Sequence, residues 1–168
     1  AGKFNRPRGI YYDADSDRLF VVDWDGKIQK FTGDGKFRGS WMMPEVELGK
    51  PEDLCLTAED TLLVTDTHYS RILEFTRRGK EVRRFGSYGD GDGQFIYPVG
   101  ICTDREGFIY VSEYGDNNRV QKFTRTGEFV ASFGGFGSAP GKFQRPSGIA
   151  IGPDGHLYVT DAVNHRLQ

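Results

Sequence analysis

Four prolines recur along the chain at nearly constant spacing. Pro7, Pro51, Pro98 and Pro146 are separated by 44, 47 and 48 residues, and three of them open closely similar phrases: PRGI, PVGI and PSGI. A period in this range is typical of solenoids and propellers, in which one supersecondary unit is repeated. This repeat limits the fold more strongly than length or composition does.

Each period reads as four short β-strands. The first strand is GIYYD, DLCLT, GICTD or GIAIG, and the second is RLFVVD, TLLVTD, FIYVSE or HLYVTD. The third is KIQKFT, RILEFT or RVQKFT, and the fourth is FRGSW, EVRRF or EFVASF. The strands are rich in β-branched and aromatic residues, and glycine stands where tight hairpin turns need a positive φ. No segment has a helical period, so the sequence predicts an all-β chain made of four-stranded, antiparallel β-propeller blades.

The phrase GQFIYPVGICTDREGFIYVSEYGDNNRVQKFTRTGEFVASFG, residues 93–134, resembles an NHL repeat. The matching marks are Phe before Pro-x-Gly-Ile, a turn like Asp-Gly, Tyr-Val-x-Asp/Glu, and Asn-x-Arg-Val/Leu-Gln-x-Phe. The resemblance covers three complete repeats and about half of a fourth. Repeat one shortens the turn after its second strand in DWDGKIQKF, and repeat two has PEDL in place of Pro-x-Gly-Ile.

The resemblance implies a six-bladed ring, of which this chain would supply about 3.5 blades in one domain, residues 1–168. We expect blades at about 4–47, 48–93 and 94–141, and a half blade at 142–168. An incomplete ring leaves one strand edge unpaired and two apolar faces bare, both of which are unfavourable. We therefore expect the remaining blades to come from a longer form of the same chain or from another chain. The remaining alternative is an open arc stabilised by a partner.

The charge balance disfavours some classes of function. Lys plus Arg number 22 against 24 Asp plus Glu, a net charge of −2, whereas nucleic-acid binders owe much of their affinity to a basic surface. No apolar run approaches the roughly 20 residues that span a bilayer. The opening AGKFNRPRGI contains no apolar signal-peptide core. Bacterial relatives of the repeat are often outside the cytoplasm, so the resemblance leans towards a periplasmic or secreted location.

In every repeat an acid closes the second strand and a base opens the third. The pairs are Asp23 with Lys27, Asp66 with Arg71, Glu113 with Arg119, and Asp161 with Arg166. A catalytic group is normally needed once, whereas these pairs recur. We therefore interpret them as structural ion pairs that close each hairpin.

The loops between second and third strands should share one face of the ring with the residues that follow each proline. These loops are WDG, THYS, YGDNN and AVNH. Propellers commonly bind ligands on such a face, because loops vary while the blades stay rigid. Aromatic side chains mixed with Arg are typical of binding hot spots. The predicted binding residues are Arg8, Trp24, Asp25, His68, Tyr69, Tyr114, Asn117, Asn118, Asn164 and His165.

The sequence predicts no metal, cofactor or catalytic residue. A zinc site needs three or four converging ligands, whereas His68, His156 and His165 fall on separate blades or faces. The segment GSYGDGDGQF lacks the acidic ligands of a calcium loop and the Gly-Lys-Ser/Thr of a phosphate loop, so it is predicted to be a linker between blades. Cys55 and Cys102 hold equivalent repeat positions and are predicted to be buried and unpaired.

These observations favour a non-catalytic module that binds a protein, peptide or glycan through its loops, as a scaffold or complex subunit. The resemblance leaves two alternatives open. One is a metal-dependent enzyme similar to the amidating lyases or lactonases built on such propellers. The other is single-stranded RNA binding, as in some animal NHL proteins, which would show a steep salt dependence.

Overall fold

The computed structural model describes residues 2–168 and folds them into four antiparallel sheets, each pairing its strands in chain order. Blade 1 contains β1 (Pro7–Asp13), β2 (Arg18–Asp23), β3 (Lys27–Thr32) and β4 (Phe37–Met42). Blade 2 contains β5 (Leu54–Leu56), β6 (Thr61–Asp66), β7 (Arg71–Thr76) and β8 (Glu81–Phe85). Blade 3 contains β9 (Tyr97–Thr103), β10 (Ile109–Tyr114), β11 (Arg119–Phe123) and β12 (Phe129–Gly134). Blade 4 contains β13 (Pro146–Ile151), β14 (Leu157–Asp161) and β15 (Arg166–Leu167). The predicted all-β propeller arrangement is confirmed.

The hydrophobic core lies between the blades. In β6 the fully buried Leu62 and Val64 pack towards blade 1, while Leu63 packs towards Ile101 of blade 3. Because successive side chains of a strand point to opposite faces, a strand covered on both sides becomes continuously apolar. The run TLLV in the second repeat is explained by this two-sided burial.

The first strand of each blade lies beside that of the next, with β5 contacting both β1 and β9, and β9 contacting β13. Hydroxyl groups of the second strands bind the first strand of the next blade, since Thr65 Oγ1 of β6 donates to the carbonyl of Val99 (3.0 Å) and Ser112 Oγ of β10 donates to the carbonyl of Ser147 (2.6 Å). The strands approach so closely that a Cβ on Gly100 would lie 2.2 Å from the Ser147 oxygen. The first strands β1, β5, β9 and β13 form what we call the inner wall, and β9 and β13 meet there through their main chains.

The outward faces of blades 1 and 4 carry exposed apolar side chains. Ile10 and Tyr12 of β1 are 63% and 51% exposed, and Leu167 of β15 is 61% exposed. The counterparts of Ile10 and Leu167 in blades 2 and 3, by contrast, lie in the cores between sheets: Leu54, Ile101, Ile72 and Val120. Within residues 2–168, no helix has the length and hydropathy needed to cross a bilayer.

Candidate functional site

The hairpins between second and third strands share one end of the blades with the linkers that join one blade to the next. This end, which we call the loop face, comprises residues 23–27, 66–71, 113–119 and 161–166 together with the linkers 43–53, 86–98 and 135–147. The arrangement follows from strand direction, because blades 1, 2 and 3 each have four antiparallel strands and so begin and end at the same side. The predicted binding loops fall on this face.

Each hairpin of the loop face contains a buried acid paired with a base. The distances are 3.7 Å for Asp23–Lys27, 2.8 Å for Asp66–Arg71, 2.6 Å for Glu113–Arg119 and 2.8 Å for Asp161–Arg166. All four acids are at most 1% exposed. Carboxylates this deeply buried require a charge partner and further hydrogen bonds to remain ionised at tolerable cost.

In three blades the acid also holds the incoming linker. Asp23 accepts from the amide of Asn5 (3.2 Å), Glu113 from Ile96 (2.8 Å) and Asp161 from Gln144 (2.7 Å), and each donor lies two residues before a repeat proline. Arg119 donates to the carbonyls of Gly91 and Gln94, and Arg166 to those of Ser138, Ala139 and Lys142. The pair therefore joins hairpin and linker, which supports the structural interpretation.

Blade 2 lacks this linker contact. Asp66 Oδ1 is buried without a hydrogen-bond partner, and Arg71 Nη1 instead reaches Glu45 Oε2 (2.6 Å) in the linker. Burial raises the pKa of Asp66, and the hydrogen bond and charge of Arg71 only partly offset it. Burial would also raise the pKa of Asp161, but hydrogen bonds from Asn164, the Gln144 amide and Arg166 outweigh it and lower that pKa.

A second feature of the loop face is a row of cationic and aromatic side chains, which includes the residue before each repeat proline. These residues are Arg6, Lys50, Tyr97 and Arg145. The Arg6 guanidinium carbon lies 5.5 Å and the Lys50 Nζ 4.7 Å from the centre of the Trp24 ring system. The equivalent Arg145 lies 5.4 Å from the centre of the Tyr114 ring.

Aromatic contacts continue this line between the two cationic ends. Tyr97 stacks on Tyr114 with ring centres 5.2 Å apart, and its ring centre lies 6.0 Å from that of His68. Burial lowers the pKa of His68, and the nearby charge of Lys50 lowers it further. We call the whole set the rim belt: Arg6, Trp24, Lys50, His68, Tyr97, Tyr114 and Arg145.

The residues that follow the repeat prolines line one cavity of about 240 Å³ inside the rim belt: Arg8, Glu52, Val99 and Ser147. Arg8 Nη2 lies 2.9 Å from Glu52 Oε1, and its guanidinium carbon is 4.6 Å from the Trp24 ring centre. Burial raises the pKa of Glu52, although the charges of Arg8 and Arg145 act to lower it. Arg8 is thus held by both a ring and a carboxylate.

Several predicted binding residues are used inside the fold. Asn118 is 6% exposed, donates to the carbonyl of Gly115 (2.6 Å) and accepts from the amide of Arg145 (2.8 Å), so both polar groups of its side chain are bonded within the fold. Asn117 and Asn164 donate to the acids of their own hairpins, 2.9 and 2.8 Å away, and also to linker carbonyls. Tyr69 lies under Arg71, 4.4 Å from ring centre to guanidinium carbon.

Other predicted residues remain exposed on the loop face: Asp25, His68 and His165. Asp25 accepts a 2.8 Å hydrogen bond from the Asn5 side chain. His165 has a φ of 52° and Asn118 one of 46°, because both close their hairpins with a left-handed residue. The Asn that recurs in the motif, Asn117 or Asn164, precedes this left-handed residue and donates to the acid of its own hairpin.

Two exposed aromatic residues of the loop face were not among the predicted ones. Tyr88 and Phe136 occupy equivalent linker positions and are 75% and 70% exposed. Tyr88 lines a cleft of about 470 Å³ with Asp116 and Asn117, and Phe136 lines one of about 700 Å³ with Tyr114 and Val163. Their repetition 48 residues apart in the two glycine-rich linkers was the available sequence signal.

The histidines and cysteines are dispersed. His156 lies at the opposite end of the blades, where it pairs with Asp154 at 2.9 Å. Both cysteines are free, with Cys55 buried and Cys102 half-buried, and burial raises the pKa of the Cys102 thiol to about 12. Across residues 2–168, no three His, Cys, Asp or Glu side chains are grouped to hold a metal ion.

Parts of this chain match known proteins in sequence. The NHL repeat model matches residues 95–123 and 143–168. The protein brain tumor of Drosophila melanogaster is 32% identical over 88 residues, which is 52% of this chain and 8% of that protein. The match therefore concerns a small part of a much longer polypeptide.

Solved structures share the fold. Virginiamycin B lyase from Staphylococcus aureus matches with a TM-score of 0.70 at 22% identity, over 93% of this chain and 49% of that one. A chain of a nidogen–laminin complex matches with a TM-score of 0.73 at 21% identity, over 96% of this chain and 59% of that one. This chain spans about half the length of these structures. Residues 95–123 and 143–168 therefore contain NHL repeats, and the strand pairing and the structural matches show that the chain has the β-propeller fold.

Proposed function

We propose that this chain is a non-catalytic binding and scaffold module that docks a protein partner on its loop face. The observation that carries the proposal is the exposure of Tyr88 and Phe136, at 75% and 70%, beside two clefts on the same face. Large exposed aromatic side chains are costly in water and are enriched at interfaces, where they act as anchors.

The fold does not need these two side chains for its own packing. The core positions of the same linkers are filled by Phe95 and Phe143, which are 0% and 3% exposed. Tyr88 and Phe136 lie outside those cores, although each forms a parallel bridge to the buried phenylalanine. Their exposure therefore points to contact with another molecule.

The relatives are compatible with docking. One similar structure is a complex of nidogen with laminin, so a protein of this fold takes part in a protein assembly there. The similar lyases share the fold alone at this level of identity.

Site-specific photo-crosslinking in the full-length protein tests the proposal. A photoreactive residue at position 88 or 136 should crosslink to a protein partner, whereas one at Arg105, at the opposite end of the blades, should not. Tyr88→Ala combined with Phe136→Ala should then weaken affinity for that partner at least about tenfold. Phe133→Ala, which removes a 46% exposed aromatic from the outer strand, is the matched control. Equal crosslinking from both ends, or unchanged affinity in the double variant, would contradict the proposal.

A further inference from the structure

We propose that the rim belt recognises an acidic, extended segment of the docked protein, and this inference rests on the function proposed above. The belt crosses all four blades and contains one residue from each position before a repeat proline: Arg6, Lys50, Tyr97 and Arg145. Three of these are cations, and the fourth provides a phenolic hydroxyl. Each blade therefore offers one hydrogen-bond donor to an anion.

The three cations lack acidic partners within the described part of the chain. Arg6, Lys50 and Arg145 form no ion pair among residues 2–168, whereas Arg8, Lys27, Arg71, Arg119 and Arg166, on the same face, all do. Arg6 and Arg145 are exposed, and Lys50 is half-buried. The charges of the belt are thus free to meet an external anion.

The belt holds its arginines in place before any ligand arrives. A guanidinium packed on an aromatic face keeps its N–H edges free, and those edges match the two oxygens of a carboxylate. Trp24 restrains Arg6, and Tyr114 restrains Arg145, at ring distances of 5.5 and 5.4 Å. Such restraint lowers the side-chain entropy that binding would otherwise cost.

The same packing favours an acidic peptide over a single-stranded nucleic acid. Proteins that bind single strands stack bases on open aromatic faces. Here the Trp24 ring is approached by three cations, Arg6, Arg8 and Lys50, while Tyr97 and Tyr114 stack on each other. The aromatic surfaces are therefore already occupied by the belt itself.

Charge also sets the path of the segment across the loop face. The carboxylates of Asp90 and Asp116 line the outer cleft beside Tyr88, where they repel an anion. Arg8 lines the inner cavity with Glu52, and Arg145 lines the cleft of Phe136, which also contains Asp116. An acidic segment is thus directed along the belt, with an apolar neighbour of that segment positioned to contact Phe136.

Fluorescence anisotropy with the full-length protein tests this. The probes are a labelled peptide of alternating glutamate and serine, the same peptide with lysine in place of glutamate, and a labelled oligouridylate. The variant Arg6→Gln, Lys50→Gln, Arg145→Gln should raise the Kd for the glutamate peptide at least about tenfold, because each lost charge-assisted hydrogen bond is worth about that factor or more. The lysine peptide should not bind.

The matched control removes three unpaired, exposed cations from the opposite end of the blades: Arg78→Gln, Lys80→Gln, Arg105→Gln. It changes the net charge equally and should leave the Kd for the glutamate peptide within about twofold. An equal loss in both variants, no binding of the glutamate peptide, or belt-dependent binding of oligouridylate instead would overturn the inference. If the crosslinked partner loses affinity in the Tyr88/Phe136 variant but not in the belt variant, this inference fails while the docking function stands.

Discussion

Blades 2 and 3 use the same acid–arginine pair but are joined to the ring by different linkers. In blade 3 the linker buries Phe95 and places its backbone against Glu113 and Arg119. In blade 2 the equivalent of Phe95 is Leu48, which is 61% exposed, and Met43 fills the core instead. The acid of blade 2 is left with an unpartnered oxygen.

The inner strands of the two blades differ as well. Blade 3 has Gly100 where blade 2 has Asp53. Gly100 lets the backbone of blade 4 approach directly, whereas Asp53 Oδ2 accepts a 3.1 Å hydrogen bond from the Ile101 amide of blade 3. One repeat can therefore join its neighbours by main-chain contact or through a carboxylate. We expect substitutions at the two kinds of contact to change the free energy of unfolding differently.

The largest expected effect concerns the buried acids. Glu113 accepts from Ile96, Asn117, Arg119 and Gln121, so Glu113→Gln places an amide among donors and should cost about 3–5 kcal/mol of unfolding free energy. Asp66→Asn should cost only about 1–2 kcal/mol, since one oxygen is already unpartnered and Arg71 keeps Glu45. Chemical denaturation measures both values. Equal losses would mean that the two linkers do not differ energetically.

A smaller effect is expected at the inner wall. Gly100→Ala should destabilise the protein by about 2–3 kcal/mol, because the added carbon meets the main-chain oxygen of Ser147 at 2.2 Å. Gly148→Ala is the control, since its nearest neighbour is the side-chain oxygen of Thr160 at 3.3 Å, which is able to rotate. Thermal melting of the two variants gives the difference. A tolerated alanine at position 100 would contradict main-chain contact as the joint between blades 3 and 4.

The smallest effect is a gain of stability in blade 2. Burial raises the pKa of Asp53 to about 6, although the amides of Ile101 and Leu54 act to lower it. A raised carboxyl pKa makes the folded state lose stability as pH rises from about 4 to about 6, and the loss persists above that range. Asp53→Asn should therefore stabilise the protein by about 1–2 kcal/mol at pH 7 and by nothing at pH 4.

Unfolding free energies of wild type and variant between pH 4 and 7 provide the measurement. The wild-type curve should fall relative to that of the variant as pH rises. A destabilised variant at pH 7 would show that the hydrogen bond to the Ile101 amide, rather than the burial of charge, dominates at this position.

Short-range patterns of the sequence were enough to predict the blades and the hairpin pairs. The apolar strand in TLLVTD, the glycine turns and the spacing of Asp66 from Arg71 all act within one hairpin, where register follows from the turn. The resemblance to an NHL repeat was confirmed at residues 95–123 and 143–168. The use of Asn118 as a buried turn residue was missed, because burial depends on the neighbouring linker rather than on the hairpin itself.

By itself the sequence determined that this is an all-β propeller chain with an acid and a base in each blade, because strand pattern and turn chemistry are local properties. Only the tertiary structure decided which cation meets which ring, which acid lacks a linker amide, and that Tyr88 and Phe136 stay exposed. Those contacts join residues of different blades, and the angle and distance between packed sheets are set by the cores between them rather than by the period of the repeat.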